Sequence, residues 1–413
     1  LEKDLFGKFS AVTSSMMLFH MFAGFGLGLT ATKYVAEYRS LDPAKAGRIL
    51  GLSSVVAWAS GSIAAFSLFL VAPVVAGTVL HDESLRAALR VSSPLILLGA
   101  VNGAQLGALG GFEDFKGVAI VNSLTYMLSV PLQVIGARVA NVEGAFCGQL
   151  LAVACGCIAS FVLISKRAKS FGIAVSFRGA KLEKGILGRF TLPAIISSFL
   201  VVPVDWACLV LLIRQGGGFA EMASYAAANQ WKSAVTFLPV IVGSISLPIF
   251  AGMVTDRRFK RTVLKFMALN YIMAVSVAFV LFFGRSLILG LYGRDFVDAT
   301  SVLCILLVAA VLESGNEILF RALLALDRGW LRLVSNGLRA TLILGLSVVL
   351  IPRCGAVGLA CAVVLAYMAH IAVQLFLFLM GVPRENATNT KDRYGIKNPQ
   401  TLPIGSGALD DVQ

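Results

Sequence analysis

The sequence predicts an all-α polytopic membrane protein, with about eleven transmembrane helices arranged as two pseudo-symmetric helical bundles. Three observations predict it. First, the 413 residues are 58% hydrophobic and only 14% charged, with a mean hydropathy of +0.85. Soluble domains carry about 25% charged residues, so a bilayer must be the solvent for much of this surface. Second, apolar runs of about 20 residues, the length that crosses the hydrocarbon, recur along the chain. Third, the second part of the chain repeats features of the first at a constant offset.

In chain order, spans are predicted near 10–32, 51–73, 92–110, 118–136, 145–165, 190–213, 223–252, 266–284, 300–324, 333–350 and 357–380. Several contain Pro or Gly, which bundled membrane helices tolerate. The segment His81–Arg90 (HDESLRAALR) reads as a short outer interfacial helix or turn. Residues 166–189 form a basic link that can also touch anionic lipid head groups. The polar tail over 381–413 reads as disordered, and its sequon at Asn386-Ala387-Thr388 reads as a chance match. These features divide the chain into an N-terminal bundle (1–165), a linker (166–189), a C-terminal bundle (190–380) and the tail (381–413).

The formal charge of +13 does not point to nucleic acid, because the cations sit in short loops between apolar runs. If the loop at 33–50 is cytoplasmic, the inner loops and C-terminal tail hold 23 Lys and Arg, and the outer segments hold nine. That asymmetry orients the chain with a cytoplasmic C-terminus. The seven cysteines lie mostly within apolar runs and lack zinc-type spacing. Neither metal nor cofactor is expected.

At an offset of 214 residues the halves align without gaps: Asn122 falls on Asn336, Leu124 on Leu338, Gly144 on Gly358 and Cys147 on Cys361. Such a repeat is parallel, with its axis along the membrane normal. The second half has six predicted spans and the first five, so one helix is expected to precede Leu1, for twelve in all.

The stretch Gly24–Arg39 (GFGLGLTATKYVAEYR) resembles the end of the second helix in O-antigen and polysaccharide flippases. Those proteins belong to the multidrug/oligosaccharidyl-lipid/polysaccharide exporter superfamily. Leu5–Ser10 is similar to the loop after that family's first helix, and Gly111–Lys116 (GFEDFK) to the loop after its fourth. Tyr225–Trp231 and Leu247-Pro248 are similar to its eighth helix. The resemblance covers about residues 5 to 380 through loose motifs, and the missing first helix departs from it. It implies a MATE-like, V-shaped, two-lobed transporter with a central cavity. Its cargo would be an undecaprenyl-pyrophosphate-linked oligosaccharide, carried to the outer leaflet of the bacterial inner membrane.

There is no phosphate-binding loop, zinc-protease motif or nucleophile elbow, so neither ATP hydrolysis nor another enzymatic activity is expected. Energy would come from an H+ or Na+ gradient, or from consumption of the product downstream. Charged groups inside a bilayer are costly and each needs a reason. All of them lie in second-half spans: Asp205, Lys232, Glu313, Glu317, Arg321 and Arg339. The first-half spans offer His20, Asn102, Gln105 and Gln149 instead.

Glu313, Glu317 and Arg321 share one helix face by their spacing of four. Glu317 and Arg339 lie at similar depth, about 11 Å and 9 Å from the inner ends of their helices. They form either a structural pair or part of a cavity in which Arg339 and Arg321 hold pyrophosphate. Arg321 has the further option of snorkelling to the interface. Asp205 and Lys232, both about 12–14 Å below the outer surface, either neutralise one another or act as an ion site and an anion contact. Pro203 favours an ion or cavity site there. The glycines at 24 and 28, and at 99, 103, 107 and 111, read as close helix packing, with a hinge as the alternative.

The leading function is therefore flipping of a lipid-linked oligosaccharide, with Lys232, Arg339 and Arg321 as cavity cations and Asp205, Glu313 and Glu317 as ion-coupling candidates. The alternatives are a cation-coupled drug exporter of the same fold and a non-transporting scaffold beside a glycan polymerase.

Overall fold

The computed structural model describes residues 2–24, 27–176, 200–254, 256–326 and 331–381, and the regular structure among them is entirely helical. The tail, most of the basic link and the first part of the span expected at 190–213 lie outside the described residues.

The expected first span runs across two helices, α1 (Lys3–Gly24) and α2 (Leu27–Tyr38). Helix α3 (Pro43–Val74) starts on Asp42, whose carboxylate accepts from the Lys45 amide at 2.9 Å, with Pro43 at the first position. It continues into a π-helical turn, Val75–Val79. Helix α4 (Leu85–Gly111) begins inside the segment expected to be interfacial: residues 85–90 are the first turns of a membrane helix, not a separate element. Leu85 and Leu89 are buried there, which explains the difference. Next come α5 (Phe115–Ser170), α6 (Val202–Ile213), α7 (Gly218–Gly252), α8 (Phe259–Phe283) and the short α9 (Arg285–Gly290). A 3-10 turn, Arg294–Ala299, leads into α10 (Thr300–Ala325), and α11 (Leu331–Gly381) closes the described chain.

Helices α5 and α11 are hairpins, not rods. Helix α5 reverses at Ala140–Asn141 (Asn141 φ 47, ψ −126), and α11 at Gly355 (φ 54, ψ −132). A Cβ on Gly144 would collide with the Gly136 carbonyl, and one on Gly148 with the carbonyl of Leu132 across the hairpin. In α11, a Cβ on Gly358 would collide with the Leu350 carbonyl in the same way. Asn141 and Gly355 stand 214 residues apart, so the sequence repeat recurs as a repeat of backbone geometry. Among the described residues, six helices are long and apolar enough to cross a membrane, and these two hairpins are among them. With each arm taken separately, the described helices follow the predicted order of spans.

One buried cluster joins α6, α7, α8, α10 and α11 through Leu212, Ala227, Leu281, Leu306 and Leu359. Another joins α1, α3, α4 and α5 through Val12, Leu68, Leu89 and Phe146, and draws in Val210, Ile213 and Met222 from the second half. The glycine stripe packs helices: a Cβ on Gly107 would collide with the Gly28 carbonyl, and one on Gly28 would sit 2.8 Å from the carbonyl of Gly103. Large apolar side chains such as Ile63, Phe66, Met127 and Phe279 are more than 60% exposed, as lipid-facing groups must be.

Candidate functional site

Four helices of the second half surround a polar hollow inside an otherwise apolar bundle. Helix α10 brings Glu313, Asn316, Glu317 and Arg321; α7 brings Tyr225, Asn229 and Lys232; α6 brings Asp205. The two arms of α11 bring Asn336 and Arg339 from one side and Tyr367, His370 and Gln374 from the other. Asn270 of α8 fixes the α7–α10 spacing, because its amide donates to the Pro239 carbonyl (3.3 Å) and the Ser314 carbonyl (3.2 Å).

The hollow has two chambers. One of about 160 Å³ is lined by Asp205, Tyr225, Asn229 and Lys232. The other, about 290 Å³, is lined by Glu313, Asn316, Glu317, Asn336 and Gln374. Arg339 and Tyr367 line both and form the junction.

All six charged residues expected from sequence come together in this region, but with different partners. Lys232 Nζ lies 2.6 Å from Glu313 Oε2, not on Asp205. Arg321 donates from Nε (2.9 Å) and Nη2 (2.5 Å) to Glu317 Oε1, one helical turn away, so Arg321 is paired within the bundle rather than extended to the interface. Arg339, 9% exposed, donates to the Tyr367 hydroxyl at 3.4 Å and lies 5.3 Å from the centre of its ring. Among the described residues, no carboxylate lies within ion-pair distance of Arg339, and no cation within that distance of Asp205. Two ion pairs are thus closed, while one cation and one carboxylate face the hollow unpaired.

Sequence reasoning missed the neutral members of the site: Asn316, Asn336, Tyr367 and Gln374. The available signal was local, since Asn316 adjoins Glu317 and Gln374 lies four residues from His370, each within an apolar run. The first half's Asn102, Gln105 and Gln149 line neither chamber.

Among the described residues, contacts between the halves gather toward the end opposite the basic loops. Phe6 of α1 packs edge-on against Tyr292 (5.6 Å between ring centres) and Phe296 (5.8 Å). Lys3 reaches Asp298 at 3.8 Å, and Arg214 donates to the carbonyls of Thr78 (2.9 Å) and Val79 (3.2 Å). Trp206 Nε1 donates to Ser15 Oγ at 3.1 Å. Lys8 pairs with Asp82 at 2.8 Å, and that hydrogen bond, opposed by partial burial, holds the lysine above its ordinary pKa.

At the basic end, loop 112–114 is locked within the first half. Arg39 Nη2 lies 2.7 Å from Glu113, a residue held at φ 59. Asp114 caps α5 by accepting from the Gly117 amide at 3.0 Å, and it also accepts from Arg167 Nε at 2.8 Å. The Arg167 hydrogen bond holds the Asp114 carboxyl below its ordinary pKa, against the opposing effect of burial.

The family model described as "Polysaccharide biosynthesis protein" matches residues 1–254. The Lipid III flippase of Escherichia coli (strain K12) is 24% identical over 366 residues, covering 87% of this chain and 86% of that protein. The EPS I polysaccharide export inner membrane protein EpsE of Ralstonia solanacearum is 27% identical over 186 residues, covering 44% and 42%. Among solved structures, an inward-facing multidrug resistance MATE family transporter of the MOP superfamily superposes with a TM-score of 0.76 at 15% identity, covering 92% of this chain and 94% of that one. An outward-facing MATE family transporter gives 0.66 at 16% identity, covering 92% and 87%. The fold is MATE-like.

Proposed function

We propose, from the premise that this chain belongs to the polysaccharide biosynthesis protein family, that it flips a polyprenyl-pyrophosphate-linked oligosaccharide across the bacterial cytoplasmic membrane. The observation that carries this reading is the unpaired guanidinium of Arg339, held at the junction of two chambers inside a membrane bundle. A buried cation with no carboxylate in contact is costly, and Asp205 offsets its charge only across the smaller chamber. An anionic ligand removes that cost, and a pyrophosphate matches the fork of donors that arginine presents.

Lys232 and Arg321 are the secondary cations, already engaged by Glu313 and Glu317. Pyrophosphate arriving at Arg339 competes for them, so ion-pair exchange couples binding to rearrangement of α7, α10 and α11. Asp205, solvent-reachable and unpaired, is the residue on which a proton or sodium ion would act, with Glu313 and Glu317 released to the same role when their cations turn to substrate. The bundles 1–165 and 190–380 act as the two moving units, joined by the link at 166–189. The basic loops and the tail face the cytoplasm. In that orientation the contacts around Phe6 seal the outer side, and the chain stands in its cytoplasm-facing state. Glycan polymerases that consume the product are the expected partners.

The test is a flipping assay on the full chain in proteoliposomes with an undecaprenyl-pyrophosphate-linked saccharide. Arg339→Ala and Lys232→Ala are each expected to slow translocation by about tenfold or more. Unchanged rates in both variants would falsify the cationic-cavity reading.

A further inference from the structure

We propose that the larger chamber, between α10 and the second arm of α11, is a saccharide subsite that reads the sugar next to the pyrophosphate. The inference rests on the flippase reading above and assigns a second part of the cargo to a second part of the site.

The starting point is Asn316. Its side chain is 5% exposed, it lines the chamber, and among the described residues neither its amide oxygen nor its amide nitrogen has a hydrogen-bond partner. Gln374, 2% exposed, points its nitrogen at Ser335 Oγ (3.5 Å) and His370 Nε2 (3.0 Å), but its Oε1 has no partner among the described residues. Buried amides left unmatched in a membrane interior are unfavourable, and few are kept without a reason. Those two side chains sit on facing helices around one hollow of about 290 Å³.

The chemistry of the wall selects the occupant. Each carboxylate in the chamber already has its own cation, Glu313 with Lys232 and Glu317 with Arg321, so the wall is close to neutral away from Arg339. A phosphate offers acceptors only and cannot satisfy an amide oxygen. A hydrocarbon tail satisfies neither end of an amide. A sugar hydroxyl or N-acetyl group both donates and accepts, and so matches Asn316 at both ends and Gln374 at its oxygen. Phe320 and Tyr367 add ring surface against which the C–H face of a pyranose can lie. Arg339 stands where this chamber meets the smaller one, so pyrophosphate at Arg339 would leave the first sugar beside Asn316.

The experiment uses the full chain in nanodiscs and three probes: undecaprenyl pyrophosphate, the same carrier bearing N-acetylglucosamine, and the same carrier bearing galactose. Wild type is expected to bind at least one glycosylated carrier about tenfold more tightly than the bare one, as two added hydrogen bonds imply. Asn316→Leu and Gln374→Leu should bring that ratio to about one by weakening the glycosylated carrier far more than the bare one. The unliganded Asn316→Leu protein should melt no lower than wild type, because an unmatched amide has been replaced by an apolar group of similar size. Equal binding of all three probes by wild type overturns the subsite but leaves the flippase reading intact. So does an Asn316→Leu variant that weakens the bare and glycosylated carriers alike. Failure of wild type to bind any of the carriers rejects the flippase reading itself, and the subsite with it.

Discussion

Lys232 and Glu313 meet at 2.6 Å within the bundle, with the lysine side chain 15% exposed and the glutamate 36%. Removing either alone leaves a charge in a low-dielectric interior, whereas removing both leaves none. Lys232→Met is therefore expected to destabilise the detergent-solubilised protein by about 1–3 kcal/mol, a buried-pair figure discounted for the open side of Glu313. The double variant Lys232→Met/Glu313→Gln should recover most of that loss in a thermal melt. Additive losses would mean that the two side chains do not act as a pair. Asp114 supplies a pH-dependent counterpart outside the membrane. Its folded pKa is depressed by Arg167, so its contribution is fully present above the unfolded carboxylate value, about 3.9, and is lost as pH falls through the lower folded value. Asp114→Asn should lower the melting temperature at neutral pH only modestly, because asparagine keeps the cap on the Gly117 amide and loses only the charge facing the half-exposed Arg167. The gap to wild type should narrow as the pH drops below 4, and a constant gap would rule the linkage out. The identities of the six intramembrane charges were legible in the sequence, because ionisable residues stand out in apolar runs. Their partners were not: depth along a helix follows from residue count, but the face that meets a neighbour depends on helix rotation. Rotation turned Lys232 toward α10 rather than α6.

At the scale of elements, the two hairpins are the clearest case of sequence becoming geometry. A reversal without an intervening loop needs one residue at positive φ, and glycine takes that conformation freely whereas other residues do so at a cost of about 1–2 kcal/mol. The second half uses Gly355, and the first uses Asn141 at the equivalent point, asparagine being among the residues that tolerate it best. Gly355 also leaves room for Glu221, whose Oε2 accepts from the Ala356 amide at 2.6 Å and so caps the second arm of α11. Gly355→Ala therefore carries two penalties, strain and a collision with that cap. It should lower stability by about 2 kcal/mol or more, whereas Asn141→Gly should be neutral or mildly stabilising. Melting curves of the two variants compare them directly, and a tolerated Gly355→Ala would contradict the account. The offset that pairs Asn141 with Gly355 was visible as weak identities at Gly144/Gly358 and Cys147/Cys361. The reversals themselves were legible as polar breaks at 137–144 (Arg138, Asn141, Glu143) and 351–356 (Pro352, Arg353, Gly355), but their tightness was not, since it depends on close contacts across each hairpin such as Gly136–Gly144. The same blindness assigned residues 85–90 to the interface, where charges at Arg86 and Arg90 masked the buried stripe of Leu85 and Leu89.

At the scale of the whole molecule, the contacts among the described residues divide unevenly between the two ends. At the end opposite the basic loops, α1 is bound to the second half by the Phe6 cluster and the Lys3–Asp298 pair, and Arg214 reaches back to the carbonyls that end the π-helical turn. At the basic end, the ion pairs of Arg39 and Arg167 stay inside the first half and stiffen it as a unit. Alternating access needs the first set to break while the second set persists. The Lys3–Asp298 pair is long (3.8 Å) and its carboxylate is open to solvent, so it contributes little by itself and Lys3→Ala should leave transport nearly unchanged. Phe6 is different, because its ring fills an aromatic pocket. Phe6 is partly buried, so Phe6→Ala should weaken the closed end by about 1–2 kcal/mol, less than a core phenylalanine would, shift the resting population toward the opposite state and raise labelling of probes placed beside Tyr292. A covalent bridge makes the sharper test. With the native cysteines replaced, cysteines at 3 and 298 joined by a short reducible cross-linker should stop translocation while leaving carrier binding intact, and reduction should restore it. Continued flipping with the bridge closed would mean that the two halves do not separate at this end, and that cargo leaves by another route.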